Sequence, residues 1–384
     1  MYGAQLMGAL RRRIPSLEFF GVGGARMRDA GCDTVVDAAD LAVVGITEIL
    51  SHLAKIYGHF QNLIAEADRR RPDLAIVIDC PAFNWRVARQ MKKRGIPVVY
   101  YVAPQFWAWR QGRVKLMRKY ITKALVIFPF EEKFYRERGV DATFIGHPLS
   151  DLPVPAVSRE EYAVRHGMSA AKPWITVMPG SRVKEVRMNL PTILEAASQL
   201  GSEYEFLLPV APTLDRDFLE PRVAGHGINL VPHALPALHH SRAAIVASGT
   251  ATVEAAMMGT PFVMVYRVSP LTYALGKPRI KVPYFAMVNL IAGERVVPEL
   301  VQHDFTAANV TARLRQILAE GEARSRVITG LAQVRARLQP DAAWNFRSAV
   351  DRGADEIVRI LPPDQPNLAA APADGNPAAR IGFQ

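Results

Sequence analysis

The sequence predicts an α/β protein of two doubly wound, Rossmann-like domains, and three observations carry that expectation. The chain has 384 residues, more than a single hydrophobic core ordinarily organises. Short apolar runs without alternation, such as LAIVIDC (74–80) and IPVVYYVAP (96–104), suit parallel strands covered on both faces. Amphipathic helical segments separate these runs, and the pattern starts again after a polar, Pro-rich stretch, LSDLPVPAVSREE (149–161).

The elements follow in order. GAQLMGALRRRIP carries helix formers, a basic end and a Pro stop, so a helix opens the chain. LEFFGVGG (17–24) is a buried strand running into a glycine turn, with the short helix ARMRDAG behind it. The helix AKIYGHFQNLIAEADRRRP leads into strand 74–80, and RVARQMKKRG leads into strand 96–104. KALVIFP (123–129), the helix EEKFYRERG and ATFIGHP (142–148) complete the first series. WITVMPG, the helix LPTILEAASQL, EYEFLLPV, GINLVPH, AAIVASG and PFVMVY make the second, closed by helices 307–320 and 323–339. The expected domains are 1–160 and 161–345, with a C-terminal helix over 346–361. The Pro/Ala-rich tail 362–384 is expected to be disordered.

One stretch needs separate treatment. Between Arg242 and Arg267 the only charge is Glu254, a length and polarity that mimic a membrane span. Yet AAIVAS is strand length, Gly249 breaks it, TVEAAMM makes a short helix and Gly259-Thr260-Pro261 stops that helix. It is a strand–turn–helix unit of a water-soluble core. At the N-terminus the basic cluster follows the apolar residues, the reverse of a signal peptide.

Composition narrows the function classes. With 49% hydrophobic and 22% charged residues, the chain is ordinarily globular rather than disordered. Cys32 and Cys80 form no metal or disulfide pattern and suit a reducing compartment. The net charge of +11, with RRR at 11–13 and 69–71 and KKR at 92–94, suits an anionic partner or simply solvated helix faces. The basic residues are dispersed and no recognition module is present, which argues against nucleic acid. The incomplete glycine pattern GVGGARM (21–27) argues against a nicotinamide dehydrogenase.

Ligands of doubly wound domains bind beyond the carboxyl ends of the strands, so two facing domains would share a cleft. At one such end, Ser248-Gly249-Thr250 offers backbone N–H groups and a helix dipole to a phosphate. Glu254, a turn later, is placed either to accept from ribose hydroxyls or to serve as an ordinary first-turn acid. Gly180, Ser181 and Arg182 of MPGSRVKEV repeat the logic, with the arginine fork suited to a diphosphate; an ordinary basic turn is the alternative. Asp79 ends LAIVID and precedes CPAFN. It is either a general base made useful by partial burial or the cap of the next helix. APQFWAWR (103–110) either cradles a sugar or acyl chain or packs the domain edge.

Taken in order, GVGGARM, LAVVGITEIL, VIDCPAFN, YYVAPQFWAWR, FPFEEKFY, FIGHPLSD, MPGSR, ASGTATVE and MVNLIAGERVVPEL resemble the lipid-A-disaccharide synthases, from Met1 to about Ile360. The resemblance implies the two-domain GT-B fold and an inverting transfer that joins UDP-2,3-diacylglucosamine to 2,3-diacylglucosamine 1-phosphate. A β-1,6 disaccharide forms and UDP leaves, without metal or cofactor. It implies Asp79 as catalytic base and Gly180, Ser181, Arg182, Ser248, Gly249, Thr250, Glu254 and Asn289 around the UDP-sugar. Asn84, Trp107 and Arg110 are its acceptor-side candidates. The implied setting is the cytoplasm, against the anionic surface of the inner membrane, with room for a homodimer. LAVVGITEILSHLAKIYGHF (41–60), with His52, Lys55 and His59 among its polar positions, is either the interfacial element or a core helix.

Three departures stand out. The family's opening strand and its Gly-Glu-Ala-Ser-Gly-Asp loop do not precede Tyr2, which implies a truncated first domain, from a misplaced start codon or a fragment. Ala82 replaces an acid, and Gln105 a serine. A UDP-N-acetylglucosamine 2-epimerase of the same fold, or an inactive truncated product, are the competing expectations.

Overall fold

The computed structural model describes residues 2–41, 46–280, 282–339, 347–362 and 380–383. The chain divides into two compact units, Met1–Pro148 with Pro340–Gln384, and Leu149–Gln339. The division falls earlier than residue 160, because the polar stretch after Pro148 already belongs to the second unit.

The first unit is built on a wholly parallel sheet. In chain order its strands are β1 (Glu18–Gly23), β2 (Cys32–Asp37), β3 (Leu74–Ile78), β4 (Val98–Tyr101), β5 (Lys123–Val126) and β6 (Ala142–Phe144). Within the second unit lie β7 (Trp174–Met178), β8 (Glu205–Pro209), β9 (Ile228–Val231), β10 (Ala243–Ala247), β11 (Phe262–Tyr266) and β12 (Glu299–Val301). The chain then returns to the first sheet with β13 (Arg380–Phe383), and the spatial orders are β2-β1-β13-β3-β4-β5-β6 and β12-β11-β10-β7-β8-β9. Every pairing is parallel. Leu74, Ile76, Val98, Val99, Ala243 and Ile245 are buried completely, as expected where helices cover both faces of a sheet.

In the second sheet the order reverses between β7 and β10, so the loops that follow these adjacent strands, 179–182 and 248–250, leave the sheet at its switch point. In the first sheet the reversal lies between β1 and β3, and β13 occupies the gap. Arg380–Phe383 pairs with Glu18–Gly21 on one side, and Ile381–Phe383 with Leu74–Ile76 on the other.

Of the tail 362–384, expected to be disordered, Arg380–Phe383 forms this strand, and residues 363–379 lie outside the described residues. Two central strands present unpaired N–H and C=O groups to the gap, and buried backbone polar groups demand partners. Ile381 is fully buried there. The expected helix over 346–361 is Ala349–Val358, and it packs on the opening helix Tyr2–Arg13 of the same unit. Arg13 pairs with Asp355 at 2.6 Å and with Asp351 at 3.1 Å, and Arg12 with Asp351 at 2.9 Å.

Other basic clusters are also engaged within the fold. Arg69 and Arg70 both meet Glu66, Arg70 reaches Asp33, and Arg94 holds Asp68. Among the described residues no helix is long and apolar enough to cross a membrane. The helix Ile46–Arg70 covers most of the proposed interfacial element. There Ile56 and Phe60 pack against the core, Tyr57 is exposed, and Lys55 pairs with Asp40. Residues 42–45, and the side chains of Ile49, His52 and Leu53, lie outside the described residues.

Candidate functional site

In the first unit, the carboxyl ends of β3 and β4 carry most of the backbone strain. Asp79 (φ 49°), Cys80 (φ 33°), Val102 (φ 60°) and Arg110 (φ 56°) are left-handed without being glycine, a conformation that persists only where surroundings enforce it and that clusters at functional loops. The enforcement is visible after β3. The Asn84 amide donates to the carbonyls of Ile78 (3.1 Å) and Asp79 (2.5 Å), and the Tyr100 hydroxyl donates to that of Asp79 at 2.6 Å. Burial pushes the Tyr100 phenol well above its usual range, so it stays a donor. These three bonds fix the turn and leave the Asp79 side chain exposed, rather than partly buried as the sequence suggests. No hydrogen bond engages its carboxylate among the described residues.

Two acceptor-side candidates have other work. Asn84 is buried and its amide holds the Asp79 turn. Trp107 is buried too, its ring edge-on to Phe130 at 4.9 Å and its Nε1 donating to Glu131 at 2.7 Å. Glu131, fully buried, also accepts from the N–H groups of Ile127 (3.1 Å) and Phe128 (3.0 Å). Burial pushes this carboxyl up to about 7 against those three donors. The Tyr135 hydroxyl donates to Pro104, tying the loop from its other end. Arg110 alone of the three is exposed, its guanidinium 4.0 Å over the exposed Trp109 ring.

In the second unit, the loop after β7 wraps a carboxylate. Glu185 accepts from the Ser181 N–H at 2.9 Å and pairs with Arg182 at 2.8 Å, at the start of helix Val183–Leu200. Gly180 (φ 128°) is required there, because a Cβ would meet Glu185 Cβ at 2.5 Å. Asn189, buried, donates to the Pro179 carbonyl at 2.8 Å and pins the loop's base. Glu185 thus engages both the Ser181 N–H and the Arg182 guanidinium.

After β10, the Ser248 hydroxyl donates to the Phe285 carbonyl at 2.9 Å. Gly249 (φ 141°) and Thr250 are exposed, and a Cβ at Gly249 would meet nothing within 4 Å. The Thr250 side chain makes no cap bond to helix Ala251–Met258, and the Thr252 and Val253 N–H groups donate to the Gly249 and Thr250 carbonyls at 3.1 and 2.9 Å. Among the described residues it is therefore the turn's own N–H groups, at Gly249, Thr250 and Ala251, that carry no backbone bond. Glu254 is partly buried, desolvation raises its pKa, and nothing among the described residues bonds its carboxylate.

Asn289 is engaged within the protein. It is completely buried, donating to the Val297 carbonyl (3.0 Å) and Glu299 (2.9 Å) and accepting from the N–H groups of Val296 (2.8 Å) and Val297 (2.9 Å). All four of its amide bonds go to the segment 296–299. Glu299, which sequence reasoning missed, accepts from Phe285 and Ala286 and so supports the loop that holds Ser248. Glu185 was also missed, although its spacing from Arg182 was a readable signal. Among the described residues no cluster of His, Cys, Asp or Glu could hold a metal.

Solved structures share this architecture. The glycotransferase of kitacinnamycin superposes with a TM-score of 0.62 at 16% identity, over 94% of this chain and 95% of that one. UDP-GlcNAc 2-epimerase from Neisseria meningitidis gives 0.53 at 12%, over 93% and 95%. At such identities the likeness establishes the GT-B fold alone. Sequence comparison is more specific. Lipid-A-disaccharide synthase of Koribacter versatilis is 52% identical over 94% of this chain and 95% of its own. That of Acidobacterium capsulatum is 49% identical over 88% of each, and that of Myxococcus xanthus 40% over 94% of each. The Lipid-A-disaccharide synthetase family profile matches residues 1–345, and the chain belongs to that family.

Proposed function

We propose that this chain joins UDP-2,3-diacylglucosamine to 2,3-diacylglucosamine 1-phosphate with inversion, in the synthesis of lipid A disaccharide. Family membership over residues 1–345 is the observation that carries this reading, and it disfavours the epimerase, which matches in fold only. Asp79 takes the proton of the acceptor 6-hydroxyl as that oxygen bonds to the anomeric carbon. The bond from that carbon to the diphosphate breaks, and UDP departs with the electron pair. Arg182, the N–H groups of Gly180 and Ser181, and the Gly249–Thr250 turn neutralise the charge that develops. Glu254 accepts from the ribose hydroxyls, which explains a half-buried carboxylate with no hydrogen-bond partner among the described residues. Supplying both substrates to the purified chain and following disaccharide and UDP by mass spectrometry tests the reaction. Asp79→Asn should fold and lose about 10²–10⁴-fold in turnover; an unaltered rate removes Asp79 from the mechanism.

Acylated substrates also place the protein at the cytoplasmic face of the inner membrane, held by charge and by part of segment 41–60. Co-sedimentation with anionic vesicles, lost as salt rises, is the expected behaviour; no binding at low salt refutes it. The same reading admits a homodimer, which sedimentation velocity measures.

A further inference from the structure

A second feature of the first unit is a cavity of about 570 Å³ with Val22, Met27, Leu41, Ile78 and Phe83 in its walls. It opens beside the carboxyl ends of β1 and β3, where the strand order of this sheet reverses, the place where ligands of doubly wound sheets gather. Its volume falls in the range of small-molecule sites. Ile78 and Cys80, which flank Asp79 in sequence, both line it, as does the exposed Arg26. An apolar hollow bordered by one cation and by the turn that carries a candidate base suits an amphiphile with an anionic head.

We propose that this cavity receives an acyl chain of the acceptor sugar, so that chain length there selects the substrate and seats its glucosamine at Asp79. The inference rests on the transferase reading above, which supplies the acylated substrate class. Of the other polar residues in the lining, Asn84 has its amide on the turn, and Tyr2 stands among apolar lining residues. The anionic phosphate at the other end of the acceptor accounts for an arginine at an otherwise apolar site.

Cys80 provides the readout. The residue is exposed although its sulfur is partly buried, and desolvation and the neighbouring Asp79 raise its pKa, so alkylation is followed well above neutral pH. Cys32, buried and pushed up to about 11, is the unreactive internal reference. Decanoate, dodecanoate and tetradecanoate, each below its micelle concentration, should protect Cys80, with acetate inert. The protecting concentration should fall about fourfold per methylene (about 0.8 kcal/mol) until the cavity fills. Ala25→Trp, at an exposed lining position, should abolish that chain-length dependence; Ala38→Trp tests the same wall-filling from a second exposed position.

Protection that ignores chain length, or that survives both tryptophans, overturns the proposal. UDP titration calorimetry on the same samples separates the two readings. Normal UDP binding and turnover without chain-dependent protection defeats the cavity alone. Absent UDP binding and turnover defeats the transferase reading itself.

Discussion

Ile381→Ala should selectively destabilise the first unit. Ile381 is fully buried in a strand paired on both sides, with Phe19 and Leu74 as its register partners. Truncating a buried isoleucine costs about 2–5 kcal/mol, the upper values belonging to sites that cannot collapse into the void. A residue clamped between two central strands is such a site, so a loss of about 4 kcal/mol is expected. Urea unfolding resolves it through Trp85, Trp107 and Trp109 of the first unit, while Trp174 reports the second. The midpoint of the first transition should fall at unchanged slope, and UDP affinity should stay as it was, since β13 belongs to the other unit. An unmoved midpoint would mean that residues 380–383 do not pair in the folded protein, and the argument from unpaired strand edges would fail with it.

Removing Glu185 (Glu185→Ala) should tighten UDP binding about two- to fivefold by calorimetry, because an exposed carboxylate pair worth about 0.2–1 kcal/mol no longer competes for the loop donors. Arg182→Ala and Glu254→Gln should each weaken UDP, the arginine more because it forfeits charge-assisted bonds of about 1.5–3 kcal/mol; unchanged affinity in both would move the nucleotide elsewhere. His147 is buried, and desolvation lowers its pKa from 6.5 to about 4, so its unfolded form binds more protons between those values and stability falls as pH drops through them. Glu131, raised from 4.5 to about 7, binds more protons when folded and loses stability as pH rises over that span. The two slopes oppose, so His147→Gln should expose a decline of about 3 kcal/mol between pH 4.5 and 7, measured by urea midpoints; a flat profile would refute it.

The strands that sequence made legible were those buried on both faces, where an apolar run has no competing explanation. β2, CDTVVD, does not read as a strand from sequence, because only Cys32 and Val36 are buried in it. β13 is illegible because a composition rich in Pro and Ala conceals a four-residue strand whose stability comes from the gap it enters. The long helix of the second unit was expected to start near Leu190. It starts at Val183, with Pro191 inside it, because tertiary packing over several turns outweighs one missing hydrogen bond.

At the site, position was readable and orientation was not. Small and short polar residues after apolar strands locate the turns at 79–80, 180–182 and 248–250, since a parallel sheet leaves such turns at one edge. Whether a polar side chain there meets a ligand depends on whether the fold has already used its bonding capacity. Asn289 donates twice and accepts twice within the protein, and a saturated buried amide has nothing left for substrate. Trp107 has one N–H, and Glu131 takes it. Glu254 is the reverse case: it is desolvated and unbonded among the described residues, a cost that a structural role would have removed and that a ligand with paired hydroxyls would. On the proposed reading, the carboxylates without a bond among the described residues, Asp79 and Glu254, are the ones left for substrate, and the Asp79→Asn and Glu254→Gln measurements decide it.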